Sequence, residues 1–465
     1  MKKILIITLL FTCFSCDRYL DIKPYGKTIP KTAEEFSALL QTHLNDINIG
    51  GTHSLLFDGE STLNFAMYAD NFEACLTERS GSTLPIYVGS YINYNQFVFY
   101  RNFYAIIRDC NIVLDGVSDP NSDELSKKVV ATAYAMRGVA YYNLLQMFCK
   151  APEAGNFQQQ EGLPLVKTFD MEEKPIRSSM EETIELIEHD LQKAISYQQK
   201  DALYLFTEEV TKGYLARLYF WLEQWSKALD LAQQILAAQP LLSGVAYTDM
   251  MRSAHDVTGN ILIRTYTTSD ATSVYNLTIQ KTTLSYRPVS KRFIDLFDLD
   301  GADNDIRYSL FLNRLRQNQK ELACGMRAAE FKLIEAECYY HLNKTTEALQ
   351  SINEFRSHRI SNYTPLTEGQ LPEVNSSAKI KVDAEGKVLT PLLSLILSER
   401  RKELFLENGD RWFELKRNGA PEFWTAYNSR KYVTESFMYT FPLLLDDVTL
   451  TPGLVQNPGY EDYIR

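Results

Sequence analysis

Stretches with a clear helical period alternate along this chain with stretches that have none. Apolar positions recur at helical spacing over residues 32–44, 97–117, 125–148, 179–197, 207–222 and 224–238. That spacing gathers them on one face of an α-helix. Thr32-Ala-Glu-Glu and Ser178-Ser-Met-Glu-Glu each place a hydroxyl cap before an acidic first turn, the signature of a helix start. A short helix is expected near Thr62–Ala69, and others begin near Ser290, Met326, Thr345 and Pro391. Segments 45–96, 241–289 and 361–389 lose the period and are irregular. Within the second, Ile261-Leu-Ile-Arg-Thr-Tyr-Thr has the β-branched and aromatic content of a strand.

Segment 211–240, TKGYLARLYFWLEQWSKALDLAQQILAAQP, resembles a tetratricopeptide repeat. Ala216, Ala228 and Pro240 sit twelve apart, where that repeat needs small residues at its helix crossing and a proline at its exit. Gly213, Tyr219 and Leu222 also fall in register. A weaker copy, FKLIEAECYYHLNKTTEALQSI, spaces Ala336 and Ala348 alike but lacks the closing proline. One repeat cannot bury its apolar side alone, so the helices at 97–117, 125–148 and 179–197 are its expected neighbours. The expected fold class is mostly α: a tetratricopeptide-like helical repeat core with irregular, loop-rich segments and a few short strands.

Charge narrows the function. The chain of 465 residues carries 48 Lys and Arg against 59 Asp and Glu, a formal charge of −11, with no basic block. That argues against a nucleic-acid partner, whose phosphates dominate affinity. A hydrophobic share of 45% and a charged share of 23% are those of a globular chain.

The N-terminus, MKKILIITLLFTCFSC, joins a short basic region to an apolar run of about a dozen residues. That run suits a signal-peptide core and is too short to span a bilayer, which takes ~20 residues. Ser15-Cys16 resembles a bacterial lipobox, although position −3 is Cys13 rather than Leu. Residues 1–15 are thus expected to be a signal peptide and 16–30 a tether lipidated at Cys16. Cys75, Cys110, Cys149, Cys324 and Cys338 form no CxxC pair and are expected as buried thiols.

The sequence-local enzyme signals GxSxG, P-loop and HExxH are absent. The histidines are scattered, and Glu185 with His189 read as a solvated helix face. Asp298, Asp300, Asp303 and Asp305 crowd one loop, but the glycine falls at its fourth position, which does not fit an EF-hand. An exposed, self-repelling turn is the expectation there. No cofactor, metal or catalytic residue is expected.

Seven blocks, in order, resemble the SusD/RagB family of bacterial outer-membrane lipoproteins. They are 16–24, CDRYLDIKP; 131–148, ATAYAMRGVAYYNLLQMF; 162–166, GLPLV, with 177–195; 293–297, FIDLF, with Asp305-Ile-Arg307; 327–337, RAAEFKLIEAE; 399–417, ERRKELFLENGDRWFELKR; and 455–460, VQNPGY. The resemblance implies one domain over 31–465, anchored by lipid at the outer membrane and surface-exposed. It further implies capture of an oligosaccharide, or of a peptide in some members, for a SusC-type TonB-dependent transporter, without catalysis. A protein–protein scaffold built on the repeat is the alternative from another class.

The family blocks themselves read as structure. Glu399 and Glu403 share a helix face, as partners in ion pairs. Arg137 is expected to be buried and paired, and Trp412 and Phe413 to be core. Asn408-Gly409 reads as a helix C-cap. The ligand is expected on the irregular segments, where a scaffold displays loops. None of the four tryptophans falls in such a segment, so Tyr91 and Tyr94 are the expected stacking faces and Tyr266 and Tyr286 a second wall. Asn45, Asp70, Asn93 and Arg287 are the expected hydrogen-bonding residues.

Overall fold

Both capping signals mark real helix starts. In the computed structural model, the Glu35 amide donates to Thr32 Oγ1 and the Thr32 amide to Glu35 Oε2, opening helix α1 (Ala33–Asn48). Ser179 and Glu182 exchange the same pair of bonds at the start of α6 (Met180–Ser196). Each such cap contributes about 1 kcal/mol. The structure describes residues 30–50, 55–57, 59–73, 88–93, 98–170, 172–253, 257–265, 288–427 and 430–461. The expected leader, Cys16 and most of its tether, together with Tyr94, Tyr266, Tyr286 and Arg287, lie outside them.

The other elements follow in chain order. Helices α2 (Gly59–Tyr68), α3 (Val88–Asn93), α4 (Val98–Gly116) and α5 (Glu124–Phe148) precede strands β1 (Glu161–Pro164) and β2 (Arg177–Ser179). After α6 come α7 (Glu208–Trp221), α8 (Trp225–Ala238), α9 (Gly244–Arg252), β3 (Ile261–Arg264), α10 (Lys291–Ile294), α11 (Ile306–Phe311) and β4 (Gly325–Arg327). The chain continues with α12 (Ala328–His341), α13 (Thr345–Ser357), α14 (Pro391–Glu403), α15 (Asp410–Arg417), β5 (Phe423–Tyr427), β6 (Arg430–Thr434) and α16 (Leu445–Leu450).

The helical body is a row in which each element touches the next: α4, α5, α6, α7, α8, α12, α13. The two repeat-like hairpins, α7–α8 and α12–α13, are far apart in sequence yet meet through α8 and α12. Ala216, Ala228, Ala336 and Ala348 are fully buried, as small residues at helix crossings must be. Gly213 lies against β4: a Cβ there would be 2.1 Å from Met326 Sδ, so a larger residue would force that side chain to move. The strands form three antiparallel pairs, β1–β2, β3–β4 and the β5–β6 hairpin. Cys110, Cys149, Cys324 and Cys338 are buried free thiols. Among the described residues no helix is long and apolar enough to cross a membrane.

The interior also holds an unusual amount of charge. Arg137 Nε donates to Asp190 Oδ2 at 2.7 Å, and Arg137 Nη1 to Asn111 Oδ1 at 2.7 Å. Glu399 accepts from Arg307 at 2.7 Å and pairs with Arg356 and Lys402. Glu403 binds Arg359 at 2.9 Å and also Arg327, while Glu407 takes Arg327 at 2.9 Å and Lys320 at 2.5 Å. The reading of α14 as a helix laced by ion pairs holds, and its Glu399–Glu403 stretch is wholly buried.

Two expectations are corrected. The Asp298–Asp305 loop is not merely a repelling turn, because Asp300 pairs with Arg356, and Asp305, buried, pairs with Arg307 at 2.6 Å. Asn408-Gly409 does not end a helix. Helix α14 stops at Glu403 and Gly409 instead caps the start of α15, with φ +71° and Phe65 packed where a Cβ would go.

Candidate functional site

The end of α2 and the start of α10 lie side by side, which ties the two irregular segments together. Phe72 and Val289 form an antiparallel bridge. The Glu73 amide donates to the Pro288 carbonyl at 2.8 Å, and the Ser290 amide to the Asn71 carbonyl at 2.8 Å. Residues 71–73 and 288–290, far apart in sequence, are therefore joined by backbone hydrogen bonds.

Asp70 belongs to that junction, but as its foundation. It is 2% exposed. Arg411 donates to its Oδ1 at 2.7 Å and to its Oδ2 at 3.1 Å, and Arg401 stands 3.3 Å from Oδ2. Burial alone would raise its pKa, yet the two guanidinium groups hold the carboxyl well below the usual range. Asp70 thus clamps the exit of α2 to α14 and α15, and its oxygens are engaged. On the rim, Arg292 faces Glu73 at 3.7 Å. Lys379, from the third irregular segment, lies 5.7 Å from the Phe423 ring centroid. Burial, and then the charge of Arg292, push the Lys379 ammonium below its usual range.

Phe423 leads to a feature that the sequence reading passed over. The β5–β6 hairpin pairs Phe423 with Thr434, Trp424 with Val433 and Ala426 with Lys431. Alternation along a strand sends successive side chains to opposite faces. Phe423 and Thr434 are buried, whereas Trp424 is 60% exposed and Val433 38%. The other three tryptophans are all buried. Lys431 stands 5.7 Å from the Trp424 ring centroid, within cation–π range. The signal was legible as two alternating runs of β-branched and aromatic residues around Asn428-Ser429.

The hairpin's β6 packs against α3. Val88 and Ile92 are the buried side of α3, and Tyr91 and Asn93 belong to the same six-residue helix. The structure thus sets the helix of two predicted ligand residues against the hairpin that carries an exposed indole. Asn45 is exposed on α1, which packs on α4 and α5 instead.

Comparison with known proteins places this arrangement in a family. Residues 18–220 match the family described as starch-binding and associating with the outer membrane, SusD-like. Residues 313–460 match the SusD family. The chain belongs to the SusD/RagB family. A SusD superfamily protein from Bacteroides thetaiotaomicron superposes with a TM-score of 0.69 at 19% identity, covering 92% of this chain and 100% of that one. A SusD-like carbohydrate-binding protein from Bacteroides vulgatus gives 0.65 at 17%, covering 91% and 98%. A laminarin-binding SusD-like protein gives 0.62 at 16%, covering 92% and 99%. At these identities the likeness is one of fold. No curated protein sequence matches this chain. The tetratricopeptide-like row is the fold it shares with these SusD relatives.

Proposed function

We propose that this SusD/RagB protein captures oligosaccharides at the cell surface and delivers them to a SusC-type TonB-dependent transporter. Cys16 would be acylated and hold the chain at the outer membrane, and the role is binding rather than catalysis. The observation that carries the reading is the exposed Trp424 on a hairpin that packs beside α3. A flat apolar face next to polar side chains is what a pyranose ring needs, and the ring costs little entropy to position.

Trp424 is added to the expected stacking faces Tyr91 and Tyr94, with Tyr266 and Tyr286 as a second wall. Asn93, Arg287 and, more remotely, Asn45 would donate and accept hydrogen bonds. Asp70 would act by holding the α2 exit in place. The printed names of two relatives, carbohydrate-binding and laminarin-binding, support a sugar ligand.

Calorimetry on the chain from Asp17 onward tests this with laminarin oligosaccharides, pooled mucin oligosaccharides and a casein peptide digest. Saturable heat with one sugar pool, lost in Tyr91→Ala and Trp424→Ala, is the expected result. Heat with peptides alone would assign the protein to the peptide-capturing alternative. Metabolic labelling with a radioactive fatty acid, abolished by Cys16→Ala, tests the anchor.

A further inference from the structure

A second cluster of chemistry lies where three segments meet. His341 ends α12. Asp383 and Glu385 sit on a tight turn closed by the Val382–Val388 bridge, with the Lys387 amide donating to Asp383 Oδ1 at 2.8 Å. Trp225 opens α8, and its ring stacks on the His341 imidazole with centroids 4.0 Å apart and planes within 5°. One ligand atom each from His341, Asp383 and Glu385 lie within 4.8 Å of one another. We propose that His341, Asp383 and Glu385 form a binding site for a divalent transition-metal ion of the Zn²⁺ type.

Geometry supports the donor set. His341 Nδ1 stands 3.3 Å from Glu385 Oε1, about the edge of a tetrahedron whose metal–ligand bonds are ~2.0–2.1 Å. Zn²⁺ accepts imidazole together with carboxylates, whereas an all-oxygen set would suit Ca²⁺ or Mg²⁺. Trp225 Nε1 donates to the same Glu385 Oε1 at 3.0 Å and fixes the position of that oxygen. Such bonds to a ligating group are the usual support of a metal site.

The independent observation is on the far side of the imidazole. The His341 side chain is 2% exposed, and its Nε2 is buried with no hydrogen-bond partner. It points toward the carboxylate of Glu337, with Nε2 and Oε1 4.0 Å apart, and Glu337 Oε2 is likewise buried and unpartnered. An imidazole that gives Nδ1 to a metal must carry its proton on Nε2. A buried carboxylate stands 4.0 Å from that nitrogen, beyond hydrogen-bond distance, on the side where a carboxylate supports a metal-bound histidine.

Charge balance agrees. Four carboxylates gather here: Glu337, Asp383, Glu385 and Glu223, the last from the turn between α7 and α8. Arg417 pairs with Glu337, and Lys387 with Glu385. The carboxylates outnumber these two cations, so the cluster favours a bound cation. A cleft lined by Tyr340, Asp383, Lys387 and Thr390 gives an ion access. Bound there, the ion would tie the end of α12 to the start of α8 through the 382–388 turn.

The test uses the chain from Asp17 onward, stripped with a chelator and titrated with Zn²⁺ alone. One equivalent should bind with a dissociation constant in the micromolar range or below. Asp383→Asn and His341→Gln should weaken it at least tenfold, while His358→Gln, on an exposed histidine, should not. Should His341→Gln fail to fold, Glu385→Gln serves in its place, since that side chain is partly exposed. Cu²⁺ should quench the Trp225 fraction of the fluorescence, and Trp225→Phe should remove that quench. No saturable heat, an unchanged affinity in the variants, or binding of Ca²⁺ in preference to Zn²⁺ would overturn the site. None of these outcomes depends on whether a glycan binds.

Discussion

Two regions of this protein treat their side chains in opposite ways. Around Glu403 the chain hides charge: Arg307, Arg327, Arg359, Glu399, Glu403 and Glu407 are all buried. On the β5–β6 hairpin it exposes an indole and a valine to solvent. A rule that hydrophobic residues go inside and charges outside inverts both. Buried charge is tolerated because each carboxylate there has guanidinium or ammonium partners in hydrogen-bonding geometry, and desolvation is repaid only by such pairing. The exposed indole has Lys431 near its ring but stays 60% exposed, which leaves its face open to the proposed ligand. One region is stable because it is complete; the other is available because it is not.

Acid is the broadest way to break the first region. Although burial alone would raise them, Asp70, Glu399, Glu403 and Glu407 are held below the usual carboxylate range by their cationic partners. Their folded pKa values lie below the unfolded value of about 4, so their contribution is complete above that pH. It is lost as the pH falls through the folded values. Asp410 has the opposite sign: burial pushes it up to about 6, so its contribution is present below about pH 4 and fades as the pH rises through 6. Urea denaturation at pH 7, 5, 4 and 3 should show a steep loss below about pH 4. A profile flat down to pH 3 would mean that these carboxylates are not charged in the folded protein.

Glu403→Gln attacks the same region at one point. It leaves Arg327 and Arg359 buried with a neutral acceptor, and should cost about 3–5 kcal/mol by chemical denaturation. The acid slope of that variant should also be shallower than that of the parent. A cost under about 1 kcal/mol would show that the network is wetter than its burial implies.

Trp424→Ala probes the second region and sharpens the contrast. Its effect on stability should stay within about 0.5 kcal/mol, as for other exposed positions. Ligand affinity should fall about tenfold, equivalent to about 1.4 kcal/mol. Equal losses of stability and binding would make the indole structural. The smallest expected effect belongs to neither region. Ser179→Ala removes the cap of α6 and should cost about 1 kcal/mol, seen as a modest fall in the urea midpoint.

Much of the fold was legible because its signals are local. Thr32 and Ser179 announce their helices within four residues. The twelve-residue spacing of Ala216 with Ala228, and of Ala336 with Ala348, announces the helix pairs. Asn408-Gly409 misled because a glycine with positive φ serves a helix end or the turn before the next helix equally well, and only the stop of α14 at Glu403 decides between them. Trp424 was passed over because it follows a strong family block, although the alternation around it was readable. Asp70 could not be placed from sequence, because its partners Arg401 and Arg411 lie more than 300 residues away.

The sequence by itself determined the place of most long helices, the repeat, the acidic charge and the family, since each is written in short-range spacing or composition. Tertiary structure alone decided which charges are buried partners, that residues 71–73 pair with 288–290, and that the hairpin carrying an exposed tryptophan packs on α3. Those outcomes depend on contacts between segments far apart in the chain, and pairing over such distances leaves no periodic trace in the order of residues.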